Sequence, residues 1–141
     1  SEFKRVKALF DSAPGEQARV LVVHHNILRG ELSRRMGLAR WRQAQRRIVE
    51  SGAEIVLCGH DHQEQVDLLA GRVVVVCAGT LSRGSRGGRP PVFHRVVIYE
   101  DAVEVELYRW DPGRGQFKRS DVHRFSRWRR SKDAAREVAV A

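Results

Sequence analysis

An α/β chain with a mixed sheet that ends in antiparallel strands is what this sequence predicts. Three observations carry that reading. Short apolar runs at 20–23, 55–58 and 73–77 read as strands covered on both faces. A helix-spaced segment lies between the first two runs, which makes a strand–helix–strand unit. Beyond residue 92, two runs read as a hairpin, and its second arm alternates apolar and polar residues over 103–107, so one face is wet.

The elements follow in order. Phe3, Val6, Leu9 and Phe10 recur at helical spacing, and Pro14-Gly15 closes that segment. Arg19 to His25 is the first strand, and 26–38 has the weak periodicity of a loop. Trp41, Ala44, Ile48 and Val49 form the stripe of a helix over 39–51, with Gly52 as its stop. Glu54 to Cys58 is the second strand. Strands over 65–69 and 73–77 turn at Ala70-Gly71, and 79–91 is a loop rich in Gly, Ser, Arg and Pro. Strands over 92–99 and 103–110 pair through Glu100-Asp101. In the second arm Val103, Val105 and Leu107 face the core while Glu104 and Glu106 face water. Asp111-Pro112-Gly113 is a turn, and 116–120 adds a last short strand. Residues 1–120 are read as one domain portion, and 121–141 as a basic tail of helical character.

The chain has 141 residues, 42% hydrophobic and 30% charged, which suits one globular unit rather than a disordered chain. It contains no run of eighteen apolar residues, and no apolar signal segment opens it. Cys58 and Cys77 are too few for a disulfide framework and read as buried thiols of a reducing, cytoplasmic compartment. The net charge is +9, almost all of it from arginine. That balance fits an anionic partner such as nucleic acid, a phospholipid surface or a phosphate ester. It equally fits a compositional preference for arginine spread along the chain. Phe125 and Trp128, interleaved with basic residues, read either as stacking residues of a nucleic-acid or membrane contact or as docked core residues.

Four histidines stand where ligands bind in α/β folds, at the carboxyl ends of strands. His24-His25 end the first strand, and Gly59-His60-Asp61-His62 follows the second. Imidazoles at i and i+2 on extended backbone point to one side, and imidazole is a ligand for Zn, Fe or Mn. Asp61, between the two, is expected to point away from them. Glu64 and Asp67 are expected as strand-surface charges.

The runs Val20-Leu-Val-Val-His24-His25 and Val56-Leu-Cys-Gly59-His60-Asp61-His62 resemble the late motifs of the calcineurin-like metallophosphoesterases. They are most similar to the bacterial cyclic-nucleotide-phosphodiesterase-like branch. Met36-Gly37-Leu38 with the following helix, and Cys77-Ala78-Gly79-Thr80 before two antiparallel strands, extend the likeness from about Phe3 to Lys118. The resemblance implies the C-terminal half of a four-layer αββα sandwich. It implies His24 and His60 on one metal of a dinuclear pair and His62 on the other. His25 would be a catalytic or substrate contact beside them. Thr80 would line the substrate pocket, and Arg83 or Arg86 could meet its phosphate. Mn, Fe or Zn are the implied metals of the complete domain.

Two departures stand out. Asn26 replaces the usual proline and is expected to loosen the loop after His25. The family's earlier motifs, which supply Asp and Asn ligands, do not occur in these residues. The parent protein is therefore expected to hydrolyse a phosphomonoester or phosphodiester. These 141 residues alone are expected to be inactive, and to associate with themselves or with a complementary N-terminal half. The alternative is a non-enzymatic basic module that binds nucleic acid or an anionic membrane surface.

Overall fold

The computed structural model describes residues 1–29, 39–82 and 88–129. Two helices, α1 (Glu2–Ser12) and α2 (Trp41–Ser51), accompany seven strands. These are β1 (Val20–His25), β2 (Ile55–Gly59), β3 (Gln65–Leu69), β4 (Val73–Cys77), β5 (Val92–Ile98), β6 (Ala102–Asp111) and β7 (Gln116–Ser126). The first sheet has the order β1-β2-β4-β3. Its first three members are parallel, and β3 returns antiparallel on β4. The second sheet is the antiparallel meander β5-β6-β7.

Alternation along the apolar strands builds two cores, one on each face of the first sheet. Val56, Cys58, Val73, Val75 and Cys77 face the helices and meet Ile48, Ile27 and Leu28, with Phe3 and Phe10 of α1 packed against them. Ile55, Val74 and Val76 face the other way and meet Val103 and Val105 of the second sheet. The described residues thus stack helices, mixed sheet and antiparallel sheet, the α/β arrangement expected. Each fully buried valine contributes roughly 1.5–3 kcal/mol by leaving water. Arg47 of α2 lies over the Phe3 ring at 5.9 Å and joins the two helices. Gly52 ends α2 at φ 82°, where its N–H donates to Val49 O, so the left-handed stop expected there is present. No described helix is long and apolar enough to cross a membrane.

Three local expectations change. The last strand does not stop at 120 but runs to Ser126, because 121–126 pair with β6 through Leu107↔Asp121 and Ala102↔Ser126. Residues 121–126 of the supposed helical tail are therefore strand, and 130–141 lie outside the described residues. Phe125 packs against the inter-sheet core, and Trp128 is stacked by Arg72 at 4.4 Å. Both rings are thus docked within the chain. Glu106, expected to face water, is 2% exposed beneath a lattice of donors. Arg95 Nη1 and Arg119 Nη1 reach its carboxylate at 3.0 Å each, and the Tyr108 hydroxyl at 3.1 Å.

The charge most deeply set in the fold is Glu54, 1% exposed at the start of β2. It accepts from the Arg19 backbone N–H at 2.8 Å and from Arg127 Nε at 2.7 Å. Arg19 enters β1 and Arg127 leaves β7, so one carboxylate joins both sheets. The Arg127 side chain is itself 4% exposed. Removing one partner from such a pair leaves a buried charge uncompensated. Glu54→Leu is predicted to lower stability by about 3–5 kcal/mol in urea unfolding. Adding Arg127→Met should return a large part of that loss.

Candidate functional site

The site is built by parallel pairing. Val20↔Ile55, Leu21↔Val56 and Val22↔Leu57 align β1 with β2, so both strands deliver their carboxyl ends to one edge of the sheet. Regular pairing breaks between Val22 and His25, which meets Gly59. The break suspends strict alternation, and consecutive His24 and His25 come to one cluster instead of opposite faces. Their ring centroids are 5.0 Å apart, and each lies 4.8 Å from that of His60. His24 Nε2 and His60 Nδ1 share a hydrogen bond of 2.9 Å. One nitrogen from each of the three rings falls within a span of 4.8 Å.

This donor set fits a borderline divalent ion. Imidazole nitrogens bind Zn at about 2.0–2.1 Å and so stand roughly 3.4 Å apart around it. The ring nitrogens, 2.9 Å apart in the His24–His60 pair and within 4.8 Å across all three, bracket that separation. His24 and His25 are exposed and His60 half-exposed, which leaves the solvent side open to further ligands.

His62 does not join the three. The expectation that His60 and His62 share a side rested on extended backbone, but both are left-handed, at φ 77° and φ 56°. The turn sends His62 to a neighbouring pocket of about 480 Å³, which it lines with Gly79, Thr80, Leu57, Val92 and His94. Left-handed non-glycine residues cost of order 1–3 kcal/mol each and concentrate at functional sites. Thr80 also lines this pocket. Its hydroxyl lies 2.9 Å from the Ser82 hydroxyl and accepts from the Ser82 N–H at 3.2 Å. Gly79 admits no side chain there, since a Cβ would stand 2.2 Å from Val92 Cγ2. Arg83 and Arg86 lie outside the described residues.

Asn26 differs from expectation, because it is anchored at the start of its loop. It is 5% exposed, and its Oδ1 accepts from the Leu28 N–H at 2.8 Å. Its Nδ2 donates to Asp61 Oδ2 at 3.0 Å. Asp61, 4% exposed, is a buried acceptor outside the group of three imidazoles, pointed away from them as expected.

Glu64 was expected on the strand surface and is instead an ion-pair centre beside the pocket. Arg109 Nη1 donates to it at 2.7 Å, and Arg89 Nη1 lies at 3.3 Å. Asp67 is exposed, as expected. Burial pushes the Glu64 carboxyl up. Hydrogen bonds from its own backbone and Arg109, with the charges of Arg89 and Arg109, outweigh that and hold it below the ordinary range. Sequence reasoning also passed over His94. Burial lowers its pKa, and its Nε2 is buried with no hydrogen-bond partner. A lone His inside an alternating strand carries no signal of that kind.

No family model and no curated protein sequence matches the chain. Solved structures do. Vps29 from Chaetomium thermophilum aligns at TM-score 0.55 and 9% identity, over 82% of this chain and 58% of that one. A conserved uncharacterized protein from Streptococcus pneumoniae, described as a predicted phosphoesterase, aligns at TM-score 0.49 and 22% identity, over 62% and 48%. Wild-type Vps29 from Entamoeba histolytica complexed with Zn2+ aligns at TM-score 0.45 and 16% identity, over 64% and 47%. At these identities the likeness is one of fold alone, and the Chaetomium structure, at TM-score 0.55, carries it. The chain spans about half the length of the solved chains it matches.

Because the folded Glu64 carboxyl titrates below its unfolded value, its contribution is present above about pH 4.3 and is lost as pH falls through the depressed value. Glu64→Gln should flatten the acid limb of stability against pH in that window, read by urea unfolding from pH 6 to pH 3.

Proposed function

We propose that this chain contributes part of a metal-dependent phosphoesterase site, in a protein that hydrolyses a phosphomonoester or phosphodiester. The observation that carries the reading is the convergence of His24, His25 and His60 nitrogens within 4.8 Å at the ends of two parallel strands. The shared fold supports it, as does the likeness of Gly59-His60-Asp61-His62 to the cyclic-nucleotide-phosphodiesterase-like branch. His24, His25 and His60 would hold the ion nearest this chain, with His62 turned to the adjoining pocket.

When bound, a pair of divalent ions such as Mn, Fe or Zn acidifies a water and neutralises phosphate charge during in-line displacement. The chain's own residues bind and orient. Strand ends fix the imidazoles, Thr80 lines the pocket, and Arg83 would meet a phosphate oxygen. The Asp and Asn ligands of the resemblance are not among these residues, so the proposed partner is a complementary half of the same domain. In support, β1 is an edge strand among the described residues, and Val22 on it is 72% exposed. Such an apolar edge is suited to cover by further chain.

Calorimetric titration with Zn2+ should show binding that His60→Ala weakens at least about tenfold. With Mn2+ and a bis-aryl phosphodiester, this chain alone should stay at background, and addition of the complementary half should restore turnover. Full turnover by the chain alone would overturn the reading of a partial site.

A basic module for anionic partners is the second reading. It is favoured by the +9 charge and by exposed Lys118, Arg119 and Arg124 along β7. Affinity for a random oligonucleotide or anionic vesicles should then fall steeply with salt. Binding that ignores salt, or no binding, removes this reading.

A further inference from the structure

We propose that Asn26 and Asp61 are a positioning pair for the histidine cluster. Their hydrogen bond fixes the loop after β1 against the loop after β2, and so sets the separation of the three imidazoles. The inference rests on the metal-binding reading of His24, His25 and His60.

Asn26 directly follows His24-His25, and Asp61 directly follows His60. The two histidine-bearing backbones belong to different strands, and their regular pairing breaks before His25. Beyond that break, the Asn26 Nδ2–Asp61 Oδ2 contact of 3.0 Å ties the loops together. Both side chains are buried, at 5% and 4% exposure, so water does not compete for the bond. Asn26 is itself held from its other end. Its Oδ1 accepts from the Leu28 N–H at 2.8 Å, and the Cys58 thiol lies 3.9 Å away. The amide is thus oriented on one side by its own turn and on the other by β2. Asp61 stands between two residues at positive φ, the part of the chain that most needs an external restraint. Neither side chain is in the imidazole group, so the pair acts through His24, His25 and His60 and is not catalytic.

The test is Zn2+ affinity of the whole chain, together with the visible spectrum of its Co2+ form, for the parent and five variants. Asn26→Leu and Asp61→Leu are expected to weaken Zn2+ binding by about ten- to a hundredfold and to shift the Co2+ bands. Asp61→Asn keeps an oxygen acceptor for the Asn26 amide and is expected to match the parent in both readouts. If Asn26→Leu does not fold, Asn26→Ser takes its place, since it keeps a short acceptor for Leu28 N–H while dropping the link to Asp61. His60→Ala is the control for the cluster itself. A folded Asn26 variant with parental affinity and spectrum, beside a defective His60→Ala, would overturn the positioning role and leave the metal reading intact. Loss in Asp61→Asn as large as in Asp61→Leu would also overturn it, by assigning the effect to charge. Equal Zn2+ binding by the parent and His60→Ala, or binding by neither, would show that the cluster reading itself had failed and would remove both.

Discussion

The parallel alignment of β1 with β2 is the constraint on which the rest of the molecule depends. Parallel strands share a direction, so what each carries at its carboxyl end arrives at the same edge of the sheet. Here those ends carry His24-His25 and Gly59-His60. Antiparallel pairing of the same two segments would separate them by the length of a strand. The alignment itself is held by burial on both faces of β2, with Val56 against the helices and Ile55 against the second sheet. Residues of opposite character stand at the two ends of β2. Glu54 accepts from Arg19 and Arg127 at its start, and the imidazoles gather just beyond its end.

Away from the histidine cluster, most strongly held carboxylates have arginine partners. Glu54, Glu64 and Glu106 are each held by one or more guanidinium groups. Much of the arginine excess in the composition therefore meets structural acceptors, and the charge of the chain is less available to partners than a count suggests. Asp61 differs because its described partner is the neutral Asn26 amide. This buried carboxylate belongs to the loop that carries His60.

The apolar pattern made nearly all of the fold legible. Runs of valine with no alternation could only be strands covered on both sides, and the alternation of Val103, Val105 and Leu107 marked the sheet with one face in the core. The extension of β7 to Ser126 was not legible, because Asp121, Val122, His123 and Arg124 are exposed and their strand conformation comes from pairing with β6. His24 and His60 were legible as a pair, since apolar strands ending in histidine are rare enough to carry meaning. The place of His25 was not. It depends on a break in strand pairing that no residue type announces. The direction of His62 was not legible for a related reason, as left-handed backbone at both His60 and His62 defeats the i, i+2 rule.

By itself the sequence determined which segments are strands and helices, which faces they bury, and that histidines cap two of the strands. Hydrophobic periodicity and turn chemistry are local properties, and they can be read from neighbours along the chain. Tertiary structure alone decided which side chains meet. Asn26 with Asp61, Glu54 with Arg127 and Glu64 with Arg109 are separated by 35, 73 and 45 residues. Each depends on strand order, register and burial together. A polar residue in a loop carries no mark of the partner that burial will require it to find.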